Sequence, residues 1–189
     1  MSGEQLEQLE QWRSAAIMHV DLDMFFVAVG LLERPDLVGK PVIVARDSGR
    51  SVVLSASYEA RAFGVRSGMP VSRARAMCPQ GILLDPSYAD YPRYSEQVMA
   101  MFHDLTHPVE QISVDEAFLD VSGAIRRLGS PVHIARQLRA RIHRETGLTA
   151  SVGIGATKTV AKIASTRSKP DGLLLVRAED TVAFMAELP

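Results

Sequence analysis

A chain of 189 residues is enough for one well-buried core or two small domains, and 47% hydrophobic with 23% charged residues is a soluble globular composition. No apolar run approaches the roughly 20 residues that cross a bilayer, and the N-terminus is acidic and polar where a secretory signal would be basic and then apolar. The single cysteine, Cys78, excludes an internal disulfide and a cysteine-based zinc cluster, so the chain reads as cytoplasmic with no membrane partner. The net charge of −1 hides an asymmetry: between Arg126 and Lys169 ten Lys or Arg stand against the one acid Glu145, and the rest of the chain is acidic. A basic block of this kind suits a polyanion such as nucleic acid or a triphosphate, though charge alone leaves a solvated helix face equally open.

Leu6, Leu9 and Trp12, spaced by three among Glu and Gln, predict an amphipathic helix over 1–13 with no assigned chemistry. Ala16 to Val20 reads as a buried strand that runs straight into Asp21-Leu22-Asp23, followed by Met24 to Leu32 as an apolar helix. Pro41 to Ala45 and Val52 to Ser55 read as short strands around a polar turn at 46–51. Tyr58 to Phe63 and Val71 to Met77 look helical, separated by Gly64 and Gly68-Met69-Pro70, and the whole stretch reads as a small module inserted into a larger domain. Gly81 to Asp85 should be a strand and Tyr88 to Leu105 a helix. After Gly129-Ser130-Pro131 a helix runs to Thr146 with Gly147 as its C-cap, then come a strand over 149–154, a helix over 158–168, a strand over 172–176 and a last helix from Asp180.

Between the helix that ends at Leu105 and Gly129 lies Ser113-Val114-Asp115-Glu116-Ala117-Phe118-Leu119-Asp120, which reads as two short strands meeting at a turn that carries Asp115 and Glu116. Two adjacent anions repel unless something positive neutralises them, and a hard divalent cation held by oxygen is the natural candidate. An isolated Asp-Glu turn is more often just solvated; what changes the balance is Asp21, at the end of a strand just before a helix. Two such strands side by side would bring Asp21 within reach of Asp115 and Glu116, and three carboxylates could hold two cations. The order strand, helix, hairpin, helix, strand is that of an α+β, ferredoxin-like split βαβ sheet with helices on one face, a fold that many functions share.

Four stretches in this order resemble the Y-family translesion DNA polymerases, and within them the DNA polymerase IV (DinB) branch. They are His19-Val20-Asp21-Leu22-Asp23-Met24-Phe25-Phe26; Ser57-Tyr58-Glu59-Ala60-Arg61 with Gly64 to Pro70; Ser113 to Asp120; and Ser151 to Gly155 with Lys158, Ala161 to Ser165 and Lys169-Pro170-Asp171-Gly172. The resemblance covers about residues 16 to 189. It implies a mixed or antiparallel palm sheet over 1–24 and 87–176, a small α/β fingers domain inserted at 25–86, and the start of a thumb at 177–189, so that the chain is expected to be a catalytic-core fragment.

The roles it implies follow two-metal phosphoryl transfer onto a primer 3′-hydroxyl. Asp21 and Asp115 would bridge two Mg²⁺ ions, replaceable by Mn²⁺, and Glu116 with the Leu22 carbonyl would complete the ion that activates the hydroxyl. Asp23 matches the pattern more as a support than as a ligand. Tyr58, Arg61 and Lys158 match positions that hold the triphosphate, Phe25 and Ser55 line the nucleotide, and Phe26 is the steric gate whose ring leaves no room for a 2′-hydroxyl. Primer-template DNA and deoxynucleoside triphosphates are the implied partners of a monomer, with a sliding clamp reached through the family's C-terminal region.

Departures are few. The family often has Val-Glu where this chain has Val29-Gly30, expected to loosen the first apolar helix. Gly153 to Thr159 lacks the glycine before Lys158 that a Walker phosphate loop needs, and the histidines show no zinc spacing. A non-catalytic scaffold that binds DNA or partner proteins is the alternative from another class, disfavoured because Asp21, Asp115 and Glu116 are all present; a nucleotide cyclase is disfavoured by the inserted module.

Overall fold

Met18, Val20 and Leu22 alternate with His19 and Asp21, so the first strand is two-faced, one side apolar and one side polar. The computed structural model describes residues 3–48 and 50–188, and the ends of the expected first helix and last segment, with Gly49 of the polar turn, lie outside the described residues. In chain order the elements are α1 (Gly3–Arg13), β1 (Ile17–Leu22), α2 (Phe25–Glu33), β2 (Val42–Val44), β3 (Ser55–Ala56), α3 (Tyr58–Ala62), α4 (Val71–Met77), β4 (Ile82–Leu84) and α5 (Tyr91–Leu105). They continue with β5 (Val109–Gln111), β6 (Glu116–Asp120), α6 (Ile125–Leu128), α7 (Pro131–Thr146), β7 (Ala150–Gly155), α8 (Lys158–Ser168), β8 (Leu173–Leu175) and α9 (Thr181–Ala186). Single 3₁₀ turns occur at Pro35–Leu37 and Pro86–Tyr88. Among the described residues no helix is long and apolar enough to cross a membrane.

The chain divides into two compact units, Met1–Asp23 with Ser95–Pro189, and Met24–Tyr94. In the first, the sheet runs β5-β6-β1-β7-β8. Its first four strands are antiparallel neighbours in the ferredoxin-like order, and β8 joins β7 in parallel through the α8 crossover. That crossover puts a helix where a split βαβ sheet has none. Gly153 lies opposite His19, and a Cβ on it would overlap the Ala161 carbonyl oxygen and the Ser165 backbone nitrogen, so α8 lies against the His19 side of the sheet. The helix α7 also packs on β7 and therefore takes the other face, where Met18, Val20, Val152 and Ile154 are fully buried. Beside it runs α5, joined by an ion pair of 2.8 Å between Arg141 and Asp104. The two helices of the split βαβ pattern, α5 and α7, thus share one face, whereas α8, also expected as a helix, lies on the other.

Local chemistry sets the helix ends. Ser130 Oγ accepts from the His133 amide at 3.2 Å ahead of Pro131, and Gly147 closes α7 in the left-handed region at φ 75°. The helix expected from Tyr88 begins instead at Tyr91. Pro92 is tolerated only in a first turn, and the Asp90 carboxylate accepts from the Arg93 amide at 3.3 Å. The hairpin is also shifted. Its loop covers Ile112 to Asp115, and Glu116 is already the first residue of β6.

The second unit holds a three-stranded sheet in the order β3-β2-β4, antiparallel then parallel. The strand expected over 52–55 is reduced to β3, and Val52 makes an isolated bridge to Pro70. Ser57 Oγ caps α3 by accepting from the Ala60 amide at 3.2 Å, and also accepts from the Val42 amide at 3.0 Å, which fixes α3 to β2. A Cβ on Gly30 would come within 2.5 Å of Leu84 Cδ2, so the glycine that departs from the family pattern lets α2 close on β4. The unit extends to Tyr94, past the expected limit at residue 86, because the Tyr91 ring packs on Phe25 and Phe26.

Candidate active site

Directly opposed residues of an antiparallel pair share a face. On β1 and β6 these are Asp21 with Glu116 and His19 with Phe118. The ligand atoms of His19, Asp21 and Glu116 all lie within 4.8 Å of one another. Asp115 precedes Glu116 in the hairpin loop. Its backbone carbonyl accepts from the Leu22 amide at 2.9 Å, tying the loop to the end of β1, and its carboxylate accepts from Ser113 Oγ at 2.5 Å. Leu22 is 1% exposed, backbone and side chain together.

Two lysines supply positive charge to the Asp21 and Glu116 carboxylates. Lys169 Nζ donates to Asp21 Oδ1 at 2.5 Å, and Lys162 Nζ donates to Glu116 Oε1 and Oε2 at 2.9 and 2.8 Å. Burial raises the Asp21 pKa, Lys169 opposes it, and the charges of Asp115 and Glu116 push it further up. At Glu116 burial also works upward, but the hydrogen bonds and charge of Lys162, with His19, outweigh it and leave the pKa lowered. His19 is fully buried, which drops its pKa from 6.5 to about 4 and leaves the ring neutral at physiological pH.

Asp23 faces away from this group. It is 1% exposed; Oδ1 accepts from Ser151 Oγ and Oδ2 from the Asp171 amide, both at 2.8 Å. It therefore anchors the turn Lys169-Pro170-Asp171-Gly172, in which Asp171 takes a left-handed φ of 45°. That turn delivers Lys169 to Asp21. Lys158, expected at a triphosphate, instead forms an ion pair with Glu110 and lies 5.6 Å from the Phe118 ring centroid.

The remaining expected residues belong to the second unit. Tyr58 opens α3, with the Arg61 guanidinium stacked 4.9 Å from its ring centroid while Arg61 Nε donates to the Ala56 carbonyl at 2.9 Å. Phe26 is half-buried, edge-on to Tyr91 at 4.8 Å. Phe25, expected to line the nucleotide, is 1% exposed and belongs to the core. Ser55 is likewise buried in β3.

The sequence pattern of the impB/mucB/samB family matches residues 20–166. The chain belongs to that family. This is the Y family of the resemblance above. The chain is 50% identical over 174 residues to DNA polymerase IV of Alkalilimnicola ehrlichii, covering 92% of this chain and 49% of that protein. It is 50% identical over 171 residues to DNA polymerase IV of Treponema denticola, covering 90% and 43%. Among solved structures it is similar to the insertion ternary complex of Dbh DNA polymerase, with a TM-score of 0.82 and 32% identity over 91% of this chain and 52% of that one. DinB from Sulfolobus solfataricus gives 0.81 and 32% over 89% and 50%. The chain spans about half the length of the curated relatives it matches.

For this impB/mucB/samB chain the motif reading named the carboxylates but gave no role to three groups that touch them: His19, Lys162 and Lys169. His19 was legible in principle, since it stands two residues before Asp21 on a strand and so shares its face. The lysines carried no such signal, because each reaches its carboxylate from an element far away in sequence. Most of the basic block is paired in the same way: Arg139 with Asp171, Arg141 with Asp104, Arg167 with Glu187, and the lysines as described. Exposed pairs of this kind contribute little to stability and exchange readily for phosphate.

Proposed function

We propose that this chain is the catalytic part of a translesion DNA polymerase that adds deoxynucleotides to a primer 3′-hydroxyl. The observation that carries the reading is the opposed pair Asp21 and Glu116, with Asp115 beside them and two lysines holding the place of positive charge. The names of the relatives support it. In this reading the unit built on β1, β6 and β7 is the palm, the unit over Met24–Tyr94 the fingers, and the segment from 177 the start of a thumb.

The donor set fits a hard divalent cation: carboxylate oxygens from Asp21, Asp115 and Glu116, and the carbonyl of Leu22. When bound, two Mg²⁺ ions, or Mn²⁺ in their place, supply activation of the primer hydroxyl and neutralisation of the triphosphate. Asp21, Asp115, Glu116 and the Leu22 carbonyl would hold the ions, and Lys169 and Lys162, no longer needed on the carboxylates, would serve as point charges for phosphate oxygens. Asp23 keeps the Lys169 turn in place throughout. In the fingers, Tyr58 and Arg61 take the triphosphate, Ser55 lies at the nascent base pair, and Phe26 excludes a 2′-hydroxyl. The partners are primer-template DNA and deoxynucleoside triphosphates, met by a cytoplasmic monomer; clamp contacts belong to parts of the longer relatives that this chain does not cover.

The test is Mn²⁺-dependent binding of a deoxynucleoside triphosphate to this chain, measured calorimetrically. Binding should vanish without metal and in Asp115→Ala and Glu116→Ala, and Phe26→Ala should admit the matching ribonucleotide. Binding that survives both carboxylate substitutions would sink the metal assignment, and a ribonucleotide still excluded by Phe26→Ala would sink the gate.

A further inference from the structure

Beneath the carboxylates lies a buried polar chain that the reading above leaves without a role. His19 is 0% exposed, yet both ring nitrogens are engaged: Nδ1 lies 2.7 Å from Ser165 Oγ and Nε2 lies 3.0 Å from Glu116 Oε2. Ser165 is itself fully buried and comes from α8, which reaches the ring only because Gly153, opposite His19 on β7, has no side chain to hold the helix away. The Phe118 ring lies 4.8 Å from the imidazole centroid and packs against it.

Counting protons decides the direction of this chain. The Ser165 hydroxyl has one proton and two acceptors in reach, Nδ1 and the Lys162 carbonyl at 2.8 Å. A neutral ring has one proton on one nitrogen. If Nδ1 carried it, the Nε2 lone pair would face a carboxylate oxygen at 3.0 Å with no proton between them. Every arrangement that satisfies the buried atoms has Nε2 donating to Glu116 Oε2; behind it, Ser165 donates to Nδ1 of a neutral ring, or accepts from Nδ1 of a doubly protonated one and donates to the Lys162 carbonyl. The Lys162 carbonyl keeps the Thr166 hydroxyl, 3.0 Å away.

We propose that His19 is a positioning residue for the metal-binding carboxylate Glu116, itself held from behind by its hydrogen bond with Ser165. The inference rests on the metal reading given under the proposed function. One carboxylate oxygen, Oε2, is pinned from below by a donor that cannot move, so the carboxylate plane is set before any cation arrives. Lys162, whose ammonium is half-exposed and exchangeable, reaches both oxygens from the open side, Oε1 at 2.9 Å and Oε2 at 2.8 Å. A histidine fixed by one hydrogen bond and orienting a carboxylate with the other is the relation by which outer groups tune metal sites, and loss of such partners lowers metal affinity about 10-fold to 100-fold.

Two measurements on this chain test the proposal. A two-bond ¹H–¹⁵N spectrum of the labelled imidazole at neutral pH should show His19 protonated on Nε2; an Nε2 without a proton would overturn the positioning role. Mn²⁺ binding followed by paramagnetic resonance should weaken about tenfold in His19→Leu. It should stay close to wild type in His19→Gln, whose amide nitrogen falls near the Nε2 position. Should His19→Leu fail to fold, Ser165→Ala takes its place, with weaker Mn²⁺ binding expected at an unchanged melting temperature. Wild-type binding that is unchanged in these variants overturns the positioning role alone. Failure of the wild type to bind Mn²⁺ through Asp21 and Glu116 overturns the metal reading, and the positioning role with it.

Discussion

Gly153 and Ser165 are packed so closely that a single methyl group would not fit between them: a Cβ on Gly153 overlaps the Ser165 backbone nitrogen and the Ala161 carbonyl. Both obstacles are helix backbone, which cannot rotate aside. Gly153→Ala must therefore lift α8 from β7 and uncover Val160, Ala161 and Ala164, all now buried. We expect a loss of about 3 kcal/mol or more in urea unfolding. Gly123, with nothing within 4 Å of its virtual Cβ, is the control, and Gly123→Ala should stay within about 0.5 kcal/mol of wild type. Equal stability of the two variants would contradict the packing of α8 on the sheet.

Asp23 offers the second prediction. Its carboxylate accepts from Ser151 Oγ and the Asp171 amide while almost wholly buried. Asp23→Ala leaves both donors without this acceptor and should cost about 2–4 kcal/mol, whereas Asp23→Asn keeps one carbonyl oxygen and should cost roughly half as much. Because the same carboxylate holds the Lys169 turn, Asp23→Asn should also weaken triphosphate binding with the metal-binding carboxylates untouched. Calorimetric titration with the nucleotide checks this; unaltered binding would separate Asp23 from the site.

These two cases mark what could be read from the chain and what could not. The strand entering Asp21, the helix start after Ser130 with its cap at Gly147, and the Asp115-Glu116 pair are local patterns, and each fell close to its expected place. The register that sets Asp21 opposite Glu116 is a pairing between residues far apart in sequence, so neither strand alone specifies it. Gly30 and Gly153 are explained only by what lies above them in space, and Asp23 only by the turn that comes to meet it. Lys169 was legible as part of a motif, but its position on Asp21 depends on that turn. The hairpin shifted because Glu116 adopts strand geometry to face Asp21, where a simple tip would have carried both acids.

Acidification should weaken the protein before its carboxylates are fully protonated. His19 has its folded pKa lowered by burial from 6.5 to about 4, so between these values the unfolded chain binds a proton that the folded one refuses. Stability then rises with pH across that window and is lost as pH falls through it, by up to about 3 kcal/mol. Glu116, also lowered, adds a loss in the acid range below its ordinary value; Asp21, raised, works the other way and offsets part of it. Urea unfolding at pH 7, 6 and 5 should show the fall, and His19→Gln should flatten it. A wild-type profile flat from pH 7 to 5 would mean that the buried ring takes up a proton at no cost.

The last prediction separates two lysines that motif matching alone would have ranked the other way. Lys158 stands more than half exposed on Glu110, itself 60% exposed, whereas Lys169 is 22% exposed and its ammonium touches Asp21 at 2.5 Å. In the proposed function a triphosphate brought to cations at Asp21 would arrive beside Lys169, and the ammonium would need only to leave one anion for another. A charged hydrogen bond of this kind contributes about 1.5–3 kcal/mol. Lys169→Met should therefore weaken nucleotide binding about 10-fold to 100-fold. Lys158→Met, which breaks a surface ion pair, should change it by about a factor of two or less. Asp21 gives an independent check, since removing Lys169 takes away the charge that opposes its burial and should raise its pKa further, visible as a shift of its carboxyl resonance in a pH titration. If Lys158→Met proved the more damaging variant, the phosphates would have to lie toward Glu110 and Phe118, and the site would be centred on the outer strand of the sheet and not on Asp21.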